Sequence, residues 1–137
     1  MGSATAHLVG NVATELKKSL ENEGRERVSF RVIATERRRD AAGIWVDGDE
    51  FGVSVVCWGV LARHVASSVR LGDPVLVSGR LATRRYEVDN ETKYITELKA
   101  NQVGPDLTRG RSTFQRQSQA GEAVEAPEPA DSAVGEF

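Results

Sequence analysis

The chain has 137 residues, of which 39% are apolar and 6% aromatic, and it carries 18 Lys and Arg against 20 Asp and Glu. That length suits one domain, and the near balance of charge speaks neither for nor against nucleic acid, so only the placement of charge can. The single cysteine, Cys57, excludes an intramolecular disulfide and a Cys-based metal cluster, and no apolar run approaches the ~18 residues of a membrane span.

Composition divides the chain. Residues 1–104 hold nearly all the Val, Ile, Leu and Trp and carry 15 Lys and Arg against 14 Asp and Glu. From Pro105 the chain turns to Gln, Ser, Gly, Ala, Glu and Pro, with 3 basic residues against 6 acidic ones. Such a segment buries too little apolar surface to offset the entropy of ordering. Residues 1–104 are therefore expected to fold and 105–137 to form a disordered tail with an acidic end. No signal peptide opens the chain, and a cytoplasmic protein is expected.

In chain order, His7–Val12 reads as a short first strand broken at Gly10, and Lys17–Gly24 as a loop or a single helical turn. Arg27–Ala34 alternates with Phe30, Val32 and Ala34 on one side and Arg31, Ile33 and Thr35 on the other, which predicts a second strand. Arg37–Asp49, with Asp40, Gly43, Asp47 and Gly48, reads as a long exposed hairpin loop. The valine-rich Glu50–Trp58 is the third strand. Leu61, Val65 and Val69 recur every four residues, so Val60–Arg70 is the one helix, stopped by Gly72. Pro74–Tyr86 is the fourth strand, Asp89–Asn90 a hairpin tip, and Thr92–Val103 the fifth strand. Three strands, a helix and two strands predict an all-β fold: a five-stranded Greek-key barrel of the OB type, with its helix between strands three and four.

Chemistry gathers on the outward strand positions and their loops. Arg84-Arg85-Tyr86 sets two cations beside a ring, the pairing that neutralises phosphate and stacks a base. Parity on strand three puts Phe51, Val53, Val55 and Cys57 toward the core and Gly52, Ser54, Val56 and Trp58 outward, making Trp58 a stacking platform and Phe51 one only if a bulge resets the register. Arg31 is an outward cation on strand two. Arg37, Arg38 and Arg39 form a second basic run, and Trp45 on the same loop could stack a base or anchor the hairpin. Enzymatic readings fail. His7 and His64 lack ligand spacing, Gly72–Gly79 lacks the Lys-Ser/Thr of a phosphate loop, and no serine sits in a nucleophile elbow. No catalytic residue, metal or cofactor is expected.

These pieces resemble the bacterial single-stranded DNA-binding protein family over residues 7–104. The matching stretches are His-Leu-Val-Gly-Asn-Val at 7–12, Phe-Arg-Val-Ile-Ala-Thr at 30–35, Gly-Ile-Trp-Val-Asp-Gly at 43–48, Cys-Trp-Gly-Val-Leu-Ala at 57–62 and Arg-Leu-Gly-Asp-Pro-Val-Leu-Val-Ser-Gly-Arg-Leu-Ala-Thr-Arg at 70–84. The resemblance implies an OB-fold homotetramer that wraps single-stranded DNA with little sequence preference, using basic grooves and stacked rings, in replication, recombination or repair. Its stacking positions fall on Trp58 and Tyr86, on Arg38 or Arg39, and on Gly52 in an ungapped reading or Phe51 if the strand bulges. It also implies an acidic C-terminal tip that docks replication or repair proteins. Here Glu136 and Phe137 persist but the acidic cluster is diluted, as in a secondary paralogue. Two other readings stand beside it: an interaction module assembling with a better-equipped paralogue, and an RNA-binding OB protein.

Overall fold

Alternation of valines with polar residues builds a sheet that closes on itself. The computed structural model describes residues 2–117. Its elements are β1 (Ala4–Val12), β2 (Lys17–Leu20), β3 (Glu26–Arg39), β4 (Trp45–Trp58), α1 (Gly59–Ser68), β5 (Pro74–Val88) and β6 (Glu91–Pro105). The strand order is β1-β5-β6-β4-β3-β2, and a further pairing of β1 with β3 shuts five of the strands into a barrel, leaving β2 appended to β3. β4 and β6 run parallel; the other pairs are antiparallel. This is the expected five-stranded Greek-key OB barrel, with α1 in the expected slot.

The barrel fills with one parity of each strand: Val28, Phe30 and Val32 from β3, Val53, Val55 and Cys57 from β4, Val75 and Val77 from β5, and Leu98 from β6. Ala62 and Val65 of α1 plug one end. Gly10 lets β1 pass from β5 to β3, because a Cβ there would stand 2.5 Å from the Ile33 carbonyl oxygen. The helix ends two residues earlier than its periodicity predicts. Arg70 lies in the following turn, where its N–H donates to Asp73 Oδ2 at 2.9 Å.

Two stretches differ from their sequence reading. Lys17–Leu20 is not loop or helix but a strand paired from Lys17↔Ser29 to Leu20↔Glu26. All four of its residues are exposed, so no apolar alternation marked it. Arg37–Asp49 is not one long loop. β3 and β4 project beyond the barrel as a two-stranded arm, past a bulge between Thr35 and Arg37, and only residues 40–44 turn. Asp40 makes that turn possible, since its Oδ1 accepts from the Ala42 and Ile44 N–H groups at 2.9 Å each. The Asp89–Asn90 tip is as expected, with both residues at positive φ (53° and 66°), as a two-residue hairpin requires. β6 runs to Pro105, and the Asp106 N–H then donates to the Pro74 carbonyl, tying the start of the expected tail to the barrel.

Candidate nucleic-acid interface

The outward parity of the barrel strands forms one continuous face. On β4 it carries Gly52, Ser54, Val56 and Trp58, because Val53, Val55 and Cys57 point inward. Cross-strand register extends it in both directions. β3 contributes Arg27 opposite Trp58, Ser29 opposite Val56 and Arg31 opposite Ser54. β6 places Glu97 beside Ser54 and Lys99 beside Val56. β5 then adds Arg80 opposite Lys99, Ala82 opposite Glu97, and Tyr86 opposite Lys93. Two half-buried rings, Trp58 and Tyr86, thus share a four-strand face with Arg27, Arg31, Arg80, Arg84 and Lys99.

Cations cover both rings. The Arg25 guanidinium carbon lies 4.5 Å from the Trp58 centroid and that of Arg27 lies at 5.8 Å. Arg84 stands 5.6 Å from the Tyr86 centroid. An open groove runs beside Trp58, lined by Arg25, Leu61, Arg80, Lys99 and Asn101. Flat faces beside cations can stack planar groups and hold phosphates, the two demands of a single nucleic-acid strand.

A known family shares this plan. Residues 4–106 match the sequence pattern described as the single-strand binding protein family. The chain belongs to that family. It is 31% identical over 123 residues to a single-stranded DNA-binding protein of Corynebacterium glutamicum, an alignment covering 88% of this chain and 55% of that one, so the chain spans about half the length of this relative. Among solved structures, the small single-stranded DNA-binding protein of Streptomyces coelicolor superposes with a TM-score of 0.70 at 33% identity, over 80% of this chain and 100% of that one. The second single-stranded DNA-binding protein of Mycobacterium smegmatis gives 0.65 at 32%, over 84% and 100%.

Within this family member the residues expected from the sequence divide between two sides. Trp58, Tyr86, Arg31 and Arg84 share the groove face. Past the Thr35/Arg37 bulge, whose extra residue lies on β4, Arg37 and Arg39 keep the side of Arg31 and Gly52, with Asp47 and Trp45 opposite them. Phe51 does not. The β3–β4 register is unbroken from Arg27↔Trp58 to Thr35↔Glu50, so Gly52 keeps the groove side and Phe51 points the other way, 56% exposed beyond the core. Arg38, opposite Val46, takes the Phe51 side, while on the groove side of the arm Arg37 pairs with Asp47 at 3.2 Å and Arg39 lies 5.0 Å over Trp45. Arg85, opposite Tyr94, faces away from Arg84 and Tyr86. At Gly52 the Arg31 guanidinium occupies the room a side chain would take, with Nη2 2.9 Å from a Cβ built there. Glu136 and Phe137 lie outside the described residues.

Sequence reasoning did not single out Arg25, Arg27, Glu97 or Lys99, and it noted Arg80 only as part of a basic strand. The alternation of strand five already set Glu97 and Lys99 against Leu98, and that was a usable signal. Arg25 and Arg27 follow the turn after β2, and nothing in their local sequence points at Trp58.

Proposed function

We propose that this chain binds single-stranded DNA with little sequence preference, stacking bases on Trp58 and Tyr86 while cations of the same face neutralise phosphates. It acts by binding and not by catalysis, beside the nucleoid in the cytoplasm. The observation that carries the reading is the shared face of two rings and the cations Arg25, Arg31, Arg80 and Lys99, which have no ion pair among the described residues, on a member of a family whose relatives bear the name single-stranded DNA-binding protein. Titration of labelled oligo-dT across a salt series tests it. Each phosphate neutralised on a single strand contributes about −0.7 to the slope of log K against log salt, so saturable binding with a slope of several units is expected. Binding that is absent, or indifferent to salt, overturns the reading.

Assembly as a homotetramer belongs to the same proposal. Val9 and Leu76 face each other across β1 and β5, 54% and 44% exposed, along a shallow apolar trough that also takes in Leu8 and Val103. A second copy would remove that surface from water. Light scattering should return a multiple of the 14.9 kDa chain mass. Docking of replication or repair proteins through Glu136 and Phe137 completes the proposal and is tested by pull-down with and without those two residues.

A further inference from the structure

Among the described residues Glu97 is the only charged side chain in the buried set. Its neighbour Leu98 fills the barrel, so by alternation Glu97 points outward, and it is buried beneath the arginines of the groove face and not in the apolar core. One oxygen, Oε2, receives both. Arg84 Nε donates to it at 3.0 Å and Arg27 Nη2 stands 3.9 Å away. These are the guanidiniums that flank the rings, Arg27 at Trp58 and Arg84 at Tyr86. A single carboxylate therefore links the two stacking platforms through the chain Trp58–Arg27–Glu97–Arg84–Tyr86, which crosses all four strands of the face.

A carboxylate so far out of water persists only when paired, and the pairing binds its partners as firmly as it is bound. Charge-assisted contact with Glu97 leaves Arg27 and Arg84 with one anion between them, whereas Arg25, Arg31, Arg80 and Lys99 have no ion pair among the described residues. We infer that Glu97 is a positioning residue for strand capture: it fixes Arg27 and Arg84 against the rings and withholds them from phosphate, leaving phosphate to cations such as these four. This rests on the proposed binding of single-stranded DNA.

Salt dependence distinguishes held cations from free ones. With Glu97→Gln the counter-anion is gone, Arg27 and Arg84 become available to phosphate, and the slope should steepen by about 0.7 for each one recruited. Glu97→Asp retains an anion and should restore the wild-type slope. Because Glu97→Gln can fail to fold, a second pair of variants carries the same question. Arg84→Gln should weaken oligo-dT binding a few-fold with the slope unchanged, while Lys99→Gln should flatten it by about 0.7. The Arg84 Nε–H resonance provides a readout without DNA, protected from exchange in the wild type and lost in Glu97→Gln. A role in stability alone predicts a lowered melting temperature with an unchanged Glu97→Gln slope, and that result overturns the inference. So does an Arg84→Gln slope that falls as far as that of Lys99→Gln. If wild-type protein fails to bind oligo-dT, the proposed function itself falls; wild-type binding with either adverse slope removes only the role of Glu97.

Discussion

Replacing Trp58 with alanine isolates stacking from electrostatics. A base stacked on an aromatic ring contributes about 1–3 kcal/mol. In the free protein Arg25 already lies 4.5 Å over that ring. An exposed cation–π contact of about 0.5–1 kcal/mol is given up when a base takes its place. With the middle of each range, the net loss for Trp58→Ala is about 1.25 kcal/mol at one site, roughly an eightfold rise in Kd by the usual factor of ten per 1.4 kcal/mol. The fold should survive, because Trp58 is half-buried and its backbone is ordinary extended chain (φ −128°, ψ 151°). Fluorescence anisotropy with a short labelled oligo-dT at fixed salt measures the change, repeated over a salt series, with circular dichroism and thermal melting as controls. Trp58→Phe should recover most of the affinity. A change below about twofold with the fold intact would refute stacking at Trp58. A flatter salt slope would instead place phosphate at the ring.

Gly52→Trp should raise affinity about fivefold by adding a ring to the groove face. The chief obstacle is the flexible end of Arg31, and an unchanged Kd in a folded variant would mean that the strand does not pass over Gly52. Gly79→Ala should destabilise by about 1–3 kcal/mol through overpacking, since its Cβ would collide with the backbone of Lys99 and Ala100, which cannot swing aside; an unaltered melting temperature would contradict the close approach of β5 and β6. Burial pushes the Cys57 thiol up to about 12. The folded state therefore favours the neutral thiol, and this contribution to stability is lost as pH rises above the unfolded thiol's ordinary value of about 8.5. Alkylation of Cys57 should accordingly be slow in native protein at pH 8 and fast in denaturant, and equal rates would place the thiol at the surface.

The barrel was readable because its signals are local. Val28, Phe30 and Val32 alternate with Ser29 and Arg31, Leu61 and Val65 recur at helical spacing, and Asp89–Asn90 suits positive φ. β2 was not readable, since a strand exposed along its whole length leaves no apolar alternation. The arm was not readable either: Asp40, Asp47 and Gly43 are turn residues by composition, and only pairing with Arg37–Arg39 makes strands of their flanks. Within the site, parity along one strand sufficed to separate Trp58 from Phe51. The same parity sets Arg85 away from Arg84 and Tyr86, but it could not bring Arg25 to Trp58.

What the amino-acid order determined by itself was the inventory and its first sorting: a last strand ending near residue 104, strands of known inward parity, a plugging helix, and an outward ring at Trp58 and at Tyr86. Those follow from periodicity, which acts between residues two to four apart. Tertiary structure alone decided which cations meet which ring, that Arg31 fills the space at Gly52, and that Glu97 joins Arg27 to Arg84. Each of these contacts crosses between strands far apart in sequence, and its geometry comes from barrel closure and register. A carboxylate that reads as an ordinary charge on β6 becomes the buried anion between two stacking platforms only once β3, β4, β5 and β6 lie side by side.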